Sequence, residues 1–320
     1  MFYLGYGIIL FILMLLYVWI ARRKGIIDNP NERSSHHKPV VRGAGVVFPL
    51  SLIVFKITYS VYYPNFGYVF AGAMLISLIS FIDDIHSLPV AIRFPVQIIS
   101  VVLLIYGFGI FPSWNWWSLL ILIVIMLGIV NAYNFMDGIN GITALYSLVA
   151  FCSFWYVIKY TEQMESTSLV NYGIVSCIVF LFFNFRKRAI CFLGDVGSIG
   201  LGFWIIAALA YIVFWSYEFK YILFLSVYLL DTGFTFLQRL LNGENVLKPH
   251  RKHLYQLLVN EKSWEHLTVA ALYAIIQIII NIFVVKSNLP LIPTTLIVAI
   301  PITLAYILLK RNILRKISGF

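Results

Sequence analysis

FYLGYGIILFILMLLYVWI, residues 2 to 20, is a run of nineteen residues without a charge, and Arg22, Arg23 and Lys24 follow at once. A bilayer core takes about 20 apolar residues per helical crossing, so this run is long enough to span one. Its cations come after the apolar stretch and no small-residue cleavage site is present, so it reads as a retained helix rather than a secretory signal. Lys and Arg collect on the cytoplasmic side of a membrane. The first helix therefore begins outside and ends inside.

The rest of the 320-residue chain continues the pattern. It is 61% hydrophobic and 11% charged, against roughly 45 to 50% and about 25% for soluble domains. That balance excludes a soluble enzyme, and it is the reverse of the low hydrophobicity and high net charge that mark disorder. Apolar runs begin near residues 2, 43, 68, 94, 117, 141, 168, 198, 220, 267 and 292. They predict an all-α polytopic membrane bundle of about eleven transmembrane helices, ten being the other count, with the N-terminus outside and the C-terminus cytoplasmic. No linker is long enough to divide two cores, so residues 1–320 read as one integral-membrane domain.

Charge supports that alternation. The segments assigned inside are 21 to 42, 83 to 93, 134 to 140, 185 to 197, 237 to 266 and 310 to 320, and they hold 19 of the 23 basic residues and all six histidines. Lys56, Lys159, Lys220 and Lys286 are the basic exceptions; ten of the thirteen acidic residues fall in those segments or at helix ends beside them, and Glu162, Glu165 and Glu218 do not. Links assigned outside, such as Tyr62 to Phe66 and Ser287 to Pro290, are short and poor in chemistry. The net charge of +10 thus reads as membrane anchoring, and no nucleic-acid partner is expected. Three scattered cysteines, Cys152, Cys177 and Cys191, form no CxxC pair and point to neither a disulfide framework nor a thiolate metal site.

Four polar constellations lie on the inside face. Asp83 and Asp84 end the third apolar run. Adjacent carboxylates repel, so a metal or a basic side chain is expected beside them; a helix end meeting water is the plain alternative. Arg93 opens the next run, where it also fits a simple charge anchor. Asn131, Asn134 and Asp137, spaced i, i+3, i+6, share one helix face ahead of Gly138 and Gly141, and polar side chains at membrane depth tend to line a cavity. Phe192-Leu193-Gly194-Asp195-Val196-Gly197-Ser198 precedes another apolar helix. Its backbone N–H groups could meet an anion and Asp195 could hold a divalent ion, while Gly197, Ser198, Gly200 and Gly202 equally suit close helix packing. Lys248-Pro249-His250-Arg251-Lys252-His253-Leu254-Tyr255-Gln256 lies in the longest polar stretch, 238 to 266, which reads as a loop with a short surface helix. His250 and His253 lack the further ligands of a zinc site. A phosphate clamp fits this loop better, with attraction to anionic headgroups as the alternative.

In this order, DD, NxxNFxDGxxG, FLGDxGS and HRxHLYQ resemble the polyprenyl-phosphate N-acetylhexosamine-1-phosphate transferase family, over most of the chain. Asp28 to His36 and Arg42-Gly43-Ala44-Gly45 are similar to that family's first cytoplasmic loop. The resemblance implies transfer of a sugar-1-phosphate from a UDP-N-acetylhexosamine to undecaprenyl phosphate, releasing UMP. It further implies Mg²⁺, with Mn²⁺ as a substitute, and an active site on the cytoplasmic face of a bacterial inner membrane. A homodimer is one option for the assembly. Carried over, Asp195 resembles the metal ligand, with Asn134 as a second candidate. Asp83, Asp84, Asp137 and His253 take catalytic positions. Arg93, Gly197, Ser198, His250, Arg251 and Asn134 are expected at the substrate.

Two departures bear on specificity. Asn140 stands where many members carry Asp, and the loop reads HRKHLYQ rather than three consecutive histidines. The second argues against the phospho-N-acetylmuramoyl-pentapeptide enzymes and towards initiators of O-antigen, capsule or related wall-polymer synthesis. A membrane transporter with a cytoplasm-facing polar site is the non-enzyme alternative. A third reading, a lipid phosphotransferase using a nucleotide-activated alcohol, lacks the DxxDGxxAR-like run it would need.

Overall fold

A computed structural model describes residues 2–30, 38–59, 65–110, 115–246, 248 and 250–318. The stretch from Asn31 to His36, the Tyr62 to Pro64 part of the first outside link, and Pro249 of the loop motif lie outside the described residues.

Among the described residues the regular structure is helical apart from a two-residue ladder. Its helices are α1 (Phe2–Lys24), α2 (Val47–Tyr59), α3 (Phe66–Ile85), α4 (Val90–Gly107), α5 (Trp116–Met136), α6 (Ile142–Tyr156), α7 (Ser168–Asn184), α8 (Gly194–Ser216), α9 (Ser226–Leu241), α10 (Leu254–Asn260), α11 (His266–Lys286) and α12 (Leu291–Ser318). Strands β1 (Ile27–Asp28) and β2 (Val40–Val41) pair antiparallel, Ile27 opposite Val41. Among the described residues nine helical stretches are long and apolar enough to cross a membrane, and two shorter apolar ones, Ala44–Tyr59 and Ser168–Asn184, complete the set of predicted runs. This is a polytopic helical membrane protein.

Burial separates the core from the lipid-facing shell. The central helix is α8, whose apolar stretch is 94% buried, whereas those of α1 and α12 are only 28% and 17% buried. A helix apolar all round is buried in a bundle or faces lipid; α8 does the first and α12 the second. Gly202 lets α8 approach α5 closely, since a Cβ there would press on Val130 and Tyr133, in keeping with small residues at membrane helix contacts.

Polar contacts gather at the two ends of the bundle. At one end Asn171 bonds Tyr3 (2.9 Å), Tyr221 bonds Glu162 (2.5 Å) and Lys220 reaches the carbonyl of Ser287 (3.2 Å). All of these come from segments assigned outside. At the other end the inside segments meet, as where Asn140 donates to the Arg186 carbonyl (2.7 Å) and Lys187 pairs with Glu265.

Two local expectations are corrected. The run near residue 220 opens as a 3₁₀ segment, Phe219–Leu225, before α9 begins. The short helix in the polar stretch, α10, is not a surface helix: Leu254, Tyr255, Leu257 and Leu258 are buried, because its apolar side packs on the bundle.

Candidate active site

A carboxylate from α3 fixes the start of α8. Asp84 accepts from the backbone N–H groups of Asp195 (2.8 Å) and Val196 (3.0 Å), satisfying donors that a helix start otherwise leaves open and placing negative charge at its positive end. Gly194 turns the chain into the helix at φ 72°, and a Cβ there would strike the Asp84 carboxylate. This is why α8 begins four residues before its apolar run.

The segment after β2 adds a cation. Ala44 N–H donates to the Phe192 carbonyl (3.0 Å), Gly45 N–H to the Leu193 carbonyl (2.9 Å) and Phe192 N–H to the Val41 carbonyl (2.7 Å). Gly45 and Gly197 face each other so closely that a Cβ on either would meet the other's Cα. This zipper delivers Arg42, whose Nε donates to Asp84 Oδ1 (2.8 Å) and whose Nη2 lies 3.4 Å from Asp195 Oδ1. From the opposite side, Arg93 Nη1 donates to Asp83 Oδ2 (2.6 Å) and Asp195 Oδ2 (3.1 Å). Asp83 also accepts from the Leu88 N–H. Three carboxylates thus share two guanidinium groups, so basic side chains stand beside the acidic pair.

Arg93 belongs at the same time to the wall of a polar cavity of about 490 Å³. The three residues at i, i+3, i+6 on α5 and its end, Asn131, Asn134 and Asp137, all line it. Asn131 donates to Gln97 Oε1 (3.1 Å) and Asn134 accepts from Ser198 Oγ (2.9 Å). Burial pushes the Asp137 carboxyl up to about 7, against the lowering pull of Thr143 and Arg42. Lys248, His250 and His253 form the facing wall, and burial, with neighbouring His253, Arg239 and Lys252, pushes the His250 imidazole down to about 4.

That wall is held by residues outside the expected set. Asp231, buried in α9, accepts from the Leu254 N–H (3.0 Å) and the Tyr273 hydroxyl (2.7 Å), and its Oδ1 lies 3.5 Å from His253 Nδ1. Arg239 donates to the carbonyls of Asn245, Val246 and Lys248. Tyr255 reaches the Phe135 carbonyl (2.9 Å) across a position where only a glycine, Gly138, leaves room.

The structure therefore brings Asp83, Asp84, Arg93 and Asp195 into one charged cluster. It brings Asn134, Asp137, His250 and His253 to the adjoining cavity. Gly197 and Ser198 do not line that cavity: the first packs on Gly45, and the second braces Asn134. Arg251 does not line it either. Asn140 bonds the Arg186 carbonyl and lies behind the cavity wall. Arg42, Asp231 and Arg239 are missing from the expected site. For Arg42 the signal was present, in the Arg-Gly-Ala-Gly stretch quoted above; Asp231 sits inside an apolar run and had none.

Among the described residues no three His, Cys, Asp or Glu side chains form a metal cage. Mg²⁺ is commonly held by one or two carboxylates plus substrate phosphates and water, and the oxygen donors of this site suit that mode. Asp195 keeps 18% of its side chain exposed, unlike Asp84 at 0%, and Asp137 and Asn134 face the cavity.

Comparison with known proteins places these motifs. Residues 66–214, from α3 to α8, match Glycosyl transferase family 4. The chain is similar to that family over this central stretch. The family match runs through the acidic pair, the Asn134–Asp137 turn and Asp195. Relatives include the probable undecaprenyl-phosphate N-acetylglucosaminyl 1-phosphate transferase of Bacillus subtilis (strain 168), 25% identical over 80% of this chain and 76% of that protein. The undecaprenyl-phosphate alpha-N-acetylglucosaminyl 1-phosphate transferase of Escherichia coli (strain K12) is 24% identical over 75% and 71% respectively. The phospho-N-acetylmuramoyl-pentapeptide-transferase of Thermotoga neapolitana is 26% identical over 69% and 76%.

Proposed function

We propose that this protein transfers an N-acetylhexosamine-1-phosphate, of the N-acetylglucosamine type, from a UDP-sugar to undecaprenyl phosphate and releases UMP. The step would open the synthesis of a lipid-linked surface polysaccharide. The observation that carries this reading is the cluster of Asp83, Asp84 and Asp195 on Arg42 and Arg93, set beside a polar cavity at one end of a membrane bundle. An anionic lipid phosphate must attack an anionic diphosphate, so catalysis consists mainly of neutralising charge and aligning the two. The basic residues around this site, and its place at a membrane edge, serve both needs. The basic bias of the same end argues that it faces the cytoplasm.

The reaction balances without an added base. An oxygen of the lipid phosphate bonds to the sugar-bearing phosphorus, the bond from that phosphorus to the bridging oxygen breaks, and UMP leaves with that oxygen. A Mg²⁺ bound by Asp195, with Asp137 and Asn134 in reach, would supply charge neutralisation at the diphosphate. Arg93 carries a guanidinium shared between Asp83, Asp195 and the cavity, and we assign it to phosphate binding. Asp84, enclosed and fully engaged, is a positioning residue for α8 and Arg42. Asp83 positions Arg93. Lys248 and His250 approach the donor from the loop side, both as hydrogen-bond donors to its phosphates. His253 braces the loop through Asp231.

The test is direct. Purified protein, undecaprenyl phosphate, Mg²⁺ and a panel of radiolabelled UDP-N-acetylhexosamines should give labelled lipid and an equal amount of UMP, with UDP-N-acetylglucosamine among the best donors. Folded protein that forms no labelled lipid with any donor would refute the proposal and return attention to transport.

A further inference from the structure

A second cavity, of about 660 Å³, lies between α9 and α12 and shares no lining residue with the polar one. Ile307, Lys310, Arg311 and Leu314 fall at i, i+3, i+4, i+7 and so present one face of α12. Phe234 and Gln238 of α9 lie opposite, and Arg315 completes the wall. Among the described residues three cations line this space and no carboxylate does.

Lys310 is the unusual member. The residue is 5% exposed, and its ammonium donates to Tyr306 Oη (2.7 Å) and Thr235 Oγ1 (3.1 Å). An ammonium has three donors, and the third has no partner among the described residues. A buried cation bonded only to neutral hydroxyls is costly to keep; the Asp231 carboxylate behind Thr235 offsets part of that cost, and an anion in the cavity would offset more. Arg311 and Arg315, exposed at the charged end of α12, extend the same positive field, while Phe234 and Ile307 give the space an apolar wall. Phosphate alone would leave that wall wet. A phosphate attached to acyl chains satisfies both parts.

We propose that this cavity binds one anionic glycerophospholipid, its phosphate on Lys310, Arg311 and Arg315 and its chains along Phe234 and Ile307. Such a lipid is distinct from the acceptor, whose phosphate must reach the other cavity. Its effect would extend further, because Thr235 also reaches Asp231 Oδ1 (3.4 Å), the carboxylate that holds the Leu254 N–H at the start of α10. An occupied site therefore braces the loop that walls the polar cavity.

Native mass spectrometry of the full chain in detergent tests this without any activity measurement. With phosphatidylglycerol and phosphatidylcholine of matched chains, the parent should retain one phosphatidylglycerol and shed phosphatidylcholine. The exposed double variant Arg311→Gln/Arg315→Gln should lose phosphatidylglycerol affinity by roughly thirtyfold, since each cation near an anionic lipid surface is worth about a fivefold factor. Lys310→Met, which keeps the volume and removes the buried donor, should weaken retention as well. Phosphatidylglycerol should also raise the melting temperature of the parent and leave that of the double variant unchanged. Equal retention of the two lipids by the parent, equal phosphatidylglycerol retention by parent and double variant, or displacement by inorganic phosphate or by undecaprenyl phosphate would overturn the proposal.

Discussion

Replacing Asp84 with Asn should unfold the start of α8 rather than simply stop the chemistry. The carboxylate accepts three bonds, from the N–H groups of Asp195 and Val196 and from Arg42 Nε, and none of its side chain is exposed. An amide keeps the shape but has one oxygen. With its NH₂ at the Oδ2 position it meets the Val196 N–H donor to donor; with its NH₂ at Oδ1 it loses both Asp195 and Arg42. In either case Arg42 faces a neutral partner. Removing one member of a buried ion pair costs about 3 to 5 kcal/mol, and charge-assisted hydrogen bonds of about 1.5 to 3 kcal/mol each give a similar sum. At roughly 2 to 4 °C per kcal/mol for a chain above about 150 residues, the melting temperature should fall by about 10 °C, with activity lost alongside. Asp195→Asn is the control. Its side chain is partly exposed, takes only the longer contacts of Arg93 (3.1 Å) and Arg42 (3.4 Å) and lies beside Asp83 and Asp84, so the variant should melt within a few degrees of the parent yet fall to background transfer. Thermal melts in detergent, paired with UMP release, separate the two variants. If Asp84→Asn melts with the parent, or Asp195→Asn melts as low as Asp84→Asn, the assignment of capping to one residue and metal binding to the other is wrong.

Two further outcomes follow from the loop. Asp231→Asn should leave the charged cluster intact but loosen α10, by about 1 to 3 kcal/mol for a buried acceptor lost; limited proteolysis between Glu244 and His253 should quicken severalfold, and an unchanged cleavage rate would remove Asp231 from the role of loop anchor. His250 gives a pH dependence. Its folded pKa, about 4, lies below the ordinary 6.5, so the unfolded loop takes up a proton first, and His250 contributes stability that is complete above pH 6.5 and lost as pH falls towards 4. Protease sensitivity of the parent loop should rise through that window, and His250→Gln should flatten the rise; a profile identical in both proteins would assign the pH response to another group.

How far the sequence could be read depends on whether a signal was local. Membrane helices announce themselves by apolar length, and basic residues at alternate links sort the ends; both are properties of contiguous sequence. Asn131, Asn134 and Asp137 could be placed on one face because helical spacing is local too. What spacing could not supply was partnership. That basic side chains stand beside Asp83 and Asp84 needed the fold, since Arg42 reaches Asp84 through pairing of residues 41–45 with 191–193 and Arg93 reaches Asp83 from α4. Gly197 illustrates the converse. Its alternatives, anion contact or close packing, are equal in sequence and become unequal once Gly45 is found opposite. Asp231 was unreadable because an aspartate within an apolar run carries no pattern; its meaning lies in Leu254, Tyr273 and His253, all distant in the chain.

The same distinction decides between transfer and transport. A transporter places its polar groups near the bilayer midplane, commonly where helices break, so that a substrate bound there can be exposed to either side in turn. Here the charged groups of the site are helix-terminal: Asp83 and Asp84 at the end of α3, Arg93 in the first turn of α4, Asp137 just past α5 and Asp195 at the start of α8. The middle of α8 is sealed instead, with Gly200, Leu201, Gly202, Phe203, Trp204, Ile205 and Ile206 all buried. A site confined to one end needs no exposure to both sides when the acceptor arrives within the bilayer and the donor from water, since the two meet at the membrane edge, where α3, α4, α5 and α8 have their charged ends.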